Sequence, residues 1–451
     1  MSSCRRVESS GVVRAARLLF ALVLAFSAPH QNARAEQRWL MTSDLHVDPF
    51  DTSAAPSSYG SDSNWSLFNA ALAAMRRVDP HPSVVVIAGD FLAHRFQSKA
   101  AAADQQPAAA AAATMQRIAR SFAQAFPHAR FLIAFGNNDD PCGDYEITPN
   151  GAFLATAARI WAPLVMRDGA SPAFPVTFAR GAYYTATLPN DARAVVVNSV
   201  YWSSRYRNAC GKGSDPGLQE FSWLERALAA HARTVMLAHI PPGIDAYSTA
   251  FARRFLVISF LNASANARFV HDVASPGSGV VTLIGGHLHS NTFGVLGAVP
   301  MLILPSISPV FGNNPSFIDA LVYQNGTLHD YATYEYLPDR RRWNAALDFD
   351  RAYGAGQLDG RALLAVHTRL AHNARLRAVW ASAYVAGSPR ADITAQNWRV
   401  FWCAQTLFDL QYTACAGAQT SVIPLAGGVL LAAAGVLAAI GALRRWCHGD
   451  A

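Results

Sequence analysis

Seven side chains able to bind a metal ion stand at the ends of apolar runs: Asp44 with His46, then Asp90, Asn137, His239, and His287 with His289. In Asp44-Leu45-His46 and His287-Leu288-His289 the donors are two residues apart. That spacing puts both on one side of an extended segment, so each pair converges on a point. Oxygen and imidazole donors together suit Zn²⁺, Mn²⁺ or Fe rather than Mg²⁺ or Ca²⁺. Singly these signals are ordinary, since a lone Asp-x-His is more often a surface pair and a His before Pro241-Pro242 more often a loop residue. All of them together, each closing a strand-like run, point to a metal centre.

Asp90 is the pivot. The run Val84-Val85-Val86-Ile87-Ala88 is continuous and β-branched, as in a strand covered on both faces. Gly89 then lets the backbone approach whatever Asp90 holds. A carboxylate fixed at a strand end can bridge two cations about 3.5–4 Å apart, and water held between them becomes a nucleophile near neutral pH.

The elements that must place these groups alternate. Strand-like runs at 38–43, 84–88, 131–135, 183–188, 194–200, 234–238 and 280–284 are interleaved with helical periodicity at 65–78, 153–164 and 218–231. The Ala-rich stretch 100–113 reads as a covering helix running on to Phe126. Later strands fall near 294–304, 317–323 and 329–336, so the class is α/β. From Pro338 the composition changes. Residues 361–383 and 393–410 read as helices, the second with Asp392 as a cap candidate, within a C-terminal helical subdomain spanning 338–417.

Of the formal charge of +7, residues 1–35 carry +4 (five Arg, one Glu) and the tail after Leu443 carries +1 (two Arg, one Asp), leaving +2 for the body. That balance gives no evident nucleic-acid-binding surface. Residues 1–35 have the Arg-rich start, short apolar core and Ala33-Arg34-Ala35 site of a signal peptide. Residues 422–443 are uncharged and apolar, and Arg444-Arg445 follow. As a helix they would span about 33 Å, enough for a transmembrane anchor or a sorting tail. An exported body facing outward is expected. It holds Cys142, Cys210, Cys403 and Cys415, which allow three connectivities, with Cys142–Cys210 and Cys403–Cys415 favoured. The oligomeric state is open.

Over residues 38–336 the sequence resembles the calcineurin-like metallophosphoesterases, and within them the acid sphingomyelinase-like and endopolyphosphatase-like branch. The matching residues are Asp44-Leu45-His46, Gly89-Asp90, Gly136-Asn137-Asn138-Asp139, His239 and Gly286-His287-Leu288-His289. The resemblance implies a four-layer αββα sandwich over 36–337. It implies two divalent metal ions, Zn²⁺ first with Mn²⁺ or Fe as alternatives. Asp44, His46, Asp90 and His289 would hold one ion, and Asp90, Asn137, His239 and His287 the other. The implied activity is hydrolysis of a phosphate ester, first as a sphingomyelinase-like phosphodiesterase, otherwise as an endopolyphosphatase or phosphomonoesterase. A catalytically silent surface-binding protein is the alternative of another class, and the complete ligand set argues against it.

The sequence departs from many of these relatives at one place: Asn138 stands where they carry a histidine. Asn138 is a candidate to hydrogen-bond the transition state, but an amide supplies no proton. His94, four residues beyond Asp90, matches a histidine of the sphingomyelinase-like members and becomes the general-acid candidate, against a supporting role. Asp48 is either a support for the site or an exposed loop acid.

Overall fold

The run expected as the pivot strand is β2 (Val84–Ile87), with all four side chains buried. Its parallel neighbours are β1 (Glu36–Thr42) and β3 (Arg130–Ile133). Chain reversals later add β10 (Ser316–Tyr323), β11 (Leu328–Leu337) and β12 (Arg342–Asp348), giving a sheet ordered β12-β11-β10-β1-β2-β3. The second sheet contains β4 (Tyr184–Thr187), β5 (Arg193–Val197), β6 (Thr234–Ala238), β7 (Val280–Gly285), β8 (Thr292–Leu296) and β9 (Val299–Ile303). Its order is β4-β5-β6-β7-β9-β8, parallel from β5 through β9 with antiparallel edges. These observations come from a computed structural model that describes residues 36–189, 192–211, 214–230, 232–252, 256–409 and 411–417.

Helices Trp65–Val78 and Ala152–Val165 lie against the first sheet at β10 and β3, and Pro216–Leu228, Ala263–Ala274 and Gly360–His372 against the second at β5 and β8. The buried parallel strands at the centre of each sheet need such cover on their faces. The sheets are joined directly as well. The Tyr184 hydroxyl on β4 donates to Ile133 O on β3 (3.0 Å) and accepts from Ile133 N (2.8 Å).

Several expectations are corrected. The Ala-rich stretch is not one helix: Phe96–Ala102 stops, and Pro107 opens a new helix, Pro107–Ala125, at a first-turn position where a missing N–H costs nothing. Residues 361–383 break at Asn373, whose side chain caps Ala374–Tyr384 by accepting from Leu376 N (3.0 Å). Among the described residues of 393–410 only Trp398–Ala404 is helical. Asp392 caps nothing there; it pairs with Arg390, and its backbone carbonyl accepts from Asn397 Nδ2 (2.8 Å). The segment expected to be helical from 338 opens on a single 3-10 turn, Pro338–Arg340, and then runs as the edge strand β12.

Both favoured disulfides form, Cys142–Cys210 and Cys403–Cys415. The expected signal segment 1–35 and apolar stretch 422–443 lie outside the described residues. Among the described residues no helix is long and apolar enough to cross a membrane.

Candidate metal centre

The loops leaving β1, β2, β6 and β7 are tied to one another by backbone bonds. Asp44 N donates to Gly89 O (3.0 Å), His46 N to Asp90 O (2.8 Å) and Gly286 N to His239 O (2.9 Å). Five of the seven candidate ligands sit in left-handed backbone: Asp44 (φ 50°), His46 (41°), Asp90 (54°), His287 (71°) and His289 (52°). Such residues cost about 1–3 kcal/mol each and persist only where the surroundings over-determine them, as at functional sites. At Gly89 (φ 97°) a Cβ would stand 2.7 Å from both Gly136 N and His239 Nδ1, so the floor of the site is closed to any side chain there.

The structure brings all seven together, and Asp90 is central. Its Oδ2 lies 3.4 Å from His46 Nε2 and 3.4 Å from His239 Nε2. On the His46 side stand His289 Nε2 (3.0 Å from His46 Nε2) and Asp44 Oδ1 (3.4 Å from His289 Nε2). On the His239 side stand Asn137 Oδ1 (3.1 Å from His239 Nε2) and His287, whose ring centroid is 5.2 Å from that of His239.

The donor set fits divalent cations. His46 Nδ1 faces Leu92 O (3.0 Å) and His239 Nδ1 faces Ala88 O (2.6 Å). Each imidazole therefore donates from Nδ1 and presents an Nε2 lone pair, the arrangement that orients a metal-binding histidine. Asp44 Oδ1 and His289 Nδ1 are buried without a hydrogen-bond partner, which is costly unless something else satisfies them. Burial pushes the Asp44 carboxyl up to about 7 and the His46 and His287 imidazoles down to about 3. Burial would also raise Asp90, but His239 and His46 outweigh it and hold that carboxyl well below the usual range. Burial would lower the His239 imidazole, but Asp90 outweighs it and raises it to about 9, so a cation bound there displaces that proton, while His46 and His287 are already neutral.

A supporting layer fixes Asp90. The Asp139 carboxylate accepts from Asp90 N (2.9 Å), Phe91 N (2.7 Å), Leu92 N (3.2 Å) and Gly136 N (2.8 Å), locking the loop after β2 to the loop after β3. Asn138 donates its backbone N–H to Asp90 Oδ1 (2.9 Å) and its Nδ2–H to Oδ2 (3.0 Å). His94 stacks on His46 (ring centroids 4.0 Å), with its Nδ1 2.7 Å from Asp62 Oδ1. Burial lowers the His94 imidazole, but the bond and charge of Asp62 prevail and its pKa is raised. Asp62 is driven the other way, to about 2, because His94 and Lys99 overcome its own burial. Lys99 Nζ joins Asp62 Oδ2 (2.6 Å) to Asp48 Oδ2 (2.7 Å), so Asp48 supports this network and is not an exposed acid.

Sequence reasoning gave Asp139 no role although it stood inside a motif, and it missed Asp62 and Lys99 altogether. The one signal was compositional: Lys99 is one of two lysines in a chain with 37 Lys and Arg. Asn198, Tyr201 and Trp202, which follow β5, belong to the core, where Trp202 stacks on Phe221 (4.3 Å) and Asn198 Nδ2 donates to Gly181 O (3.0 Å).

Above Asp90 opens a cleft of about 320 Å³, with His94, His289 and Phe311 among the residues at one end and Asn137, Tyr145 and Arg205 among those at the other. No family model matches the chain. It is 25% identical over 399 residues to the acid sphingomyelinase-like phosphodiesterase 3b of Homo sapiens, covering 77% of this chain and 83% of that protein. It is 24% identical over 326 residues to the sphingomyelinase phosphodiesterase D of Dictyostelium discoideum, covering 66% and 68%. A solved 5′-nucleotidase precursor from Thermus thermophilus is similar at a TM-score of 0.33 and 14% identity, over 75% of this chain and 59% of that one. Two donor groups meeting at one shared carboxylate, on a chain similar over most of its length to an acid sphingomyelinase-like phosphodiesterase, are the arrangement that the resemblance to the calcineurin-like metallophosphoesterases implies.

Proposed function

We propose that this chain is a sphingomyelinase-like phosphodiesterase that hydrolyses its substrate in the cleft above Asp90. Its metallophosphoesterase domain, residues 36–337, carries the chemistry in a four-layer αββα arrangement. One divalent ion would be held by Asp44, His46, Asp90 and His289, the other by Asp90, Asn137, His239 and His287, with Zn²⁺ preferred over Mn²⁺ or Fe for this donor set. The observation that carries the reading is the position of Asp90 Oδ2, 3.4 Å from an imidazole of each group. When bound, the ions supply charge that neutralises the phosphoryl oxygens and makes water acidic enough to attack phosphorus near neutral pH.

The chain's own residues do the rest. Asp139 and Asn138 hold Asp90 from its backbone and from both carboxylate oxygens, so the shared ligand is set before substrate arrives. As the oxygen of water bonds to phosphorus and the bond to the leaving oxygen breaks, the imidazolium of His94 donates its proton to that oxygen and is reprotonated from solvent. Asn138 cannot give that proton, and its hydrogen bonds make it a positioning group for Asp90. The disulfides Cys142–Cys210 and Cys403–Cys415 support an exported location, with residues 422–443 as the tether.

Chelated protein, with and without added Zn²⁺, is assayed on bis-p-nitrophenyl phosphate, p-nitrophenyl phosphate and long-chain polyphosphate. Zn²⁺-dependent turnover should be greatest on the diester. Preference for polyphosphate would turn the assignment to an endopolyphosphatase, and metal-loaded protein inert on all three would make it a binding protein. Asp90→Asn should lower bound metal, read by mass spectrometry, from about two ions per chain to about one or none.

A further inference from the structure

Asn137 is the only amide among the seven candidate ligands, and its two ends are chemically opposite. Oδ1 can bind a cation and Nδ2 cannot, so a half-turn of the amide would destroy the ligand. Oδ1 lies 3.1 Å from His239 Nε2, on the metal side, and Nδ2 donates to Asp144 Oδ1 (2.7 Å). An ionised carboxylate accepts and has nothing to donate. The turned amide would set its oxygen against that of Asp144 and aim an N–H at the cation.

Asp144 lines the cleft and is exposed there, so burial does not oblige it to find a partner. The backbone nevertheless brings it to Asn137 at a cost. Tyr145, the next residue and only 6% exposed, is left-handed (φ 59°), which a bulky side chain sustains only where its surroundings over-determine it. Tyr145 N donates to Asn137 O (2.9 Å), and the Tyr145 ring stands edge-on to that of His287 (centroids 6.1 Å). Within the same loop the buried Asp140 carboxylate accepts from Cys142 N (2.8 Å) and Thr148 N (3.2 Å), and Gly143 N donates to Asp140 O (3.1 Å). Successive residues thus hold the two parts of Asn137, Tyr145 its backbone carbonyl and Asp144 its side-chain amide. A carboxylate behind a metal-binding histidine fixes the ring and strengthens the ligand, and the same device serves an amide here.

Resting on the two-ion reading above, we propose that Asp144 is a positioning residue for the ion assigned to Asp90, Asn137, His239 and His287: it selects the amide orientation in which Asn137 presents oxygen. The metal-free full chain is titrated with Zn²⁺ by calorimetry. Asp144→Asn, equal in size but able to donate as well as accept, should bind one of the two ions about tenfold or more weakly and leave the other nearly unchanged, and Asp144→Ala should behave alike. Exchanging the pair, Asn137→Asp with Asp144→Asn, should restore most of the lost affinity. A carboxylate presents oxygen whichever way it turns, and the new amide can donate to it. A residue that only props the loop, or that binds the ion itself, gains nothing from the exchange. Both ions held as tightly by Asp144→Asn as by the wild type, or an exchange variant no better than Asp144→Asn, overturns the proposal. If the wild type takes up fewer than two ions, it is the two-ion reading that fails, and the Asn137 amide then decides the role of Asp144. With ¹⁵N-asparagine labelling, the Nδ2 protons of Asn137, identified by their loss in Asn137→Ala, should exchange with solvent more slowly in the wild type than in Asp144→Ala. Equal rates reject the role.

Discussion

The contact between His94 Nδ1 and Asp62 leaves Nε2 as the nitrogen that can meet a substrate, and keeps the proton on the ring to a higher pH than usual. A raised imidazole acts as an acid below its own pKa and loses that capacity as pH rises through it. Asp62→Asn removes the main upward influence, so the descending limb of kcat/KM against pH should move toward acid. A limb that stays in place would take the acid role from His94. His94→Ala should slow esters of poor leaving groups by on the order of 10²–10⁴-fold while sparing activated nitrophenyl esters. A second titrating group bears on stability. Glu220 is buried, its Oε1 accepts from Asn198 N (2.6 Å), its Oε2 has no partner, and burial raises its carboxyl well above the ordinary value. The stability that its neutral form contributes is complete below the pKa of the unfolded chain and is lost as pH rises toward the folded one. Relative to wild type, Glu220→Gln should therefore gain in denaturant midpoint as pH is raised, and a constant difference would show that Glu220 keeps no proton.

At the scale of elements, the strand ends decide the site, and they were also what the sequence displayed. A buried strand is a short local run, and an apolar run that stops at Gly-Asp or Gly-His can be seen without knowing its partners. The breaks at Pro107 and Asn373 were equally local and should have been read from the first-turn proline and the capping side chain. By contrast, the Asp62–His94 and Asp62–Lys99 contacts join residues 32 and 37 apart, with Asp62 in a polar loop that shows no periodicity, and only the folded chain brings them together. β12 was hidden for another reason: as an edge strand, with no buried residue, it lacks the apolar alternation that marks a strand. The turn after β2 carries its own test. Gly89→Ala would place a left-handed alanine against Gly136 and His239, so unfolding free energy should fall by about 2 kcal/mol or more and metal content should fall with it. Full metal occupancy in a folded Gly89→Ala protein would show that the turn relaxes without disturbing the ligands.

For the whole molecule, the two disulfides act on different things. Cys142–Cys210 spans 68 residues and joins the Tyr145 and Arg205 walls, whereas Cys403–Cys415 spans 12 within the C-terminal helices. Loop-closure entropy assigns them about 4 and about 3 kcal/mol respectively. Replacing both Cys142 and Cys210 by Ser should lower the melting temperature and raise KM with metal content intact, while the Cys403/Cys415 pair should affect stability more than KM. The C-terminal segment still bears on the cleft, since Asn266 accepts from Gly243 N (2.8 Å) and donates to Phe408 O (2.7 Å), holding the loop that leads to Tyr247.

The left-handed backbone at five of the seven donors has a consequence for the protein's supply. Strain of that kind favours the unfolded chain until cations bind the folded one, and each tenfold rise in free metal then adds about 1.4 kcal/mol of stability per ion once the site is populated. The melting temperature should climb with free Zn²⁺ and level off in Asp90→Asn. In a metal-poor compartment such a chain unfolds more often and is cleared sooner by proteases, so scarcity of the ion sets how many molecules survive as well as how many can turn over substrate.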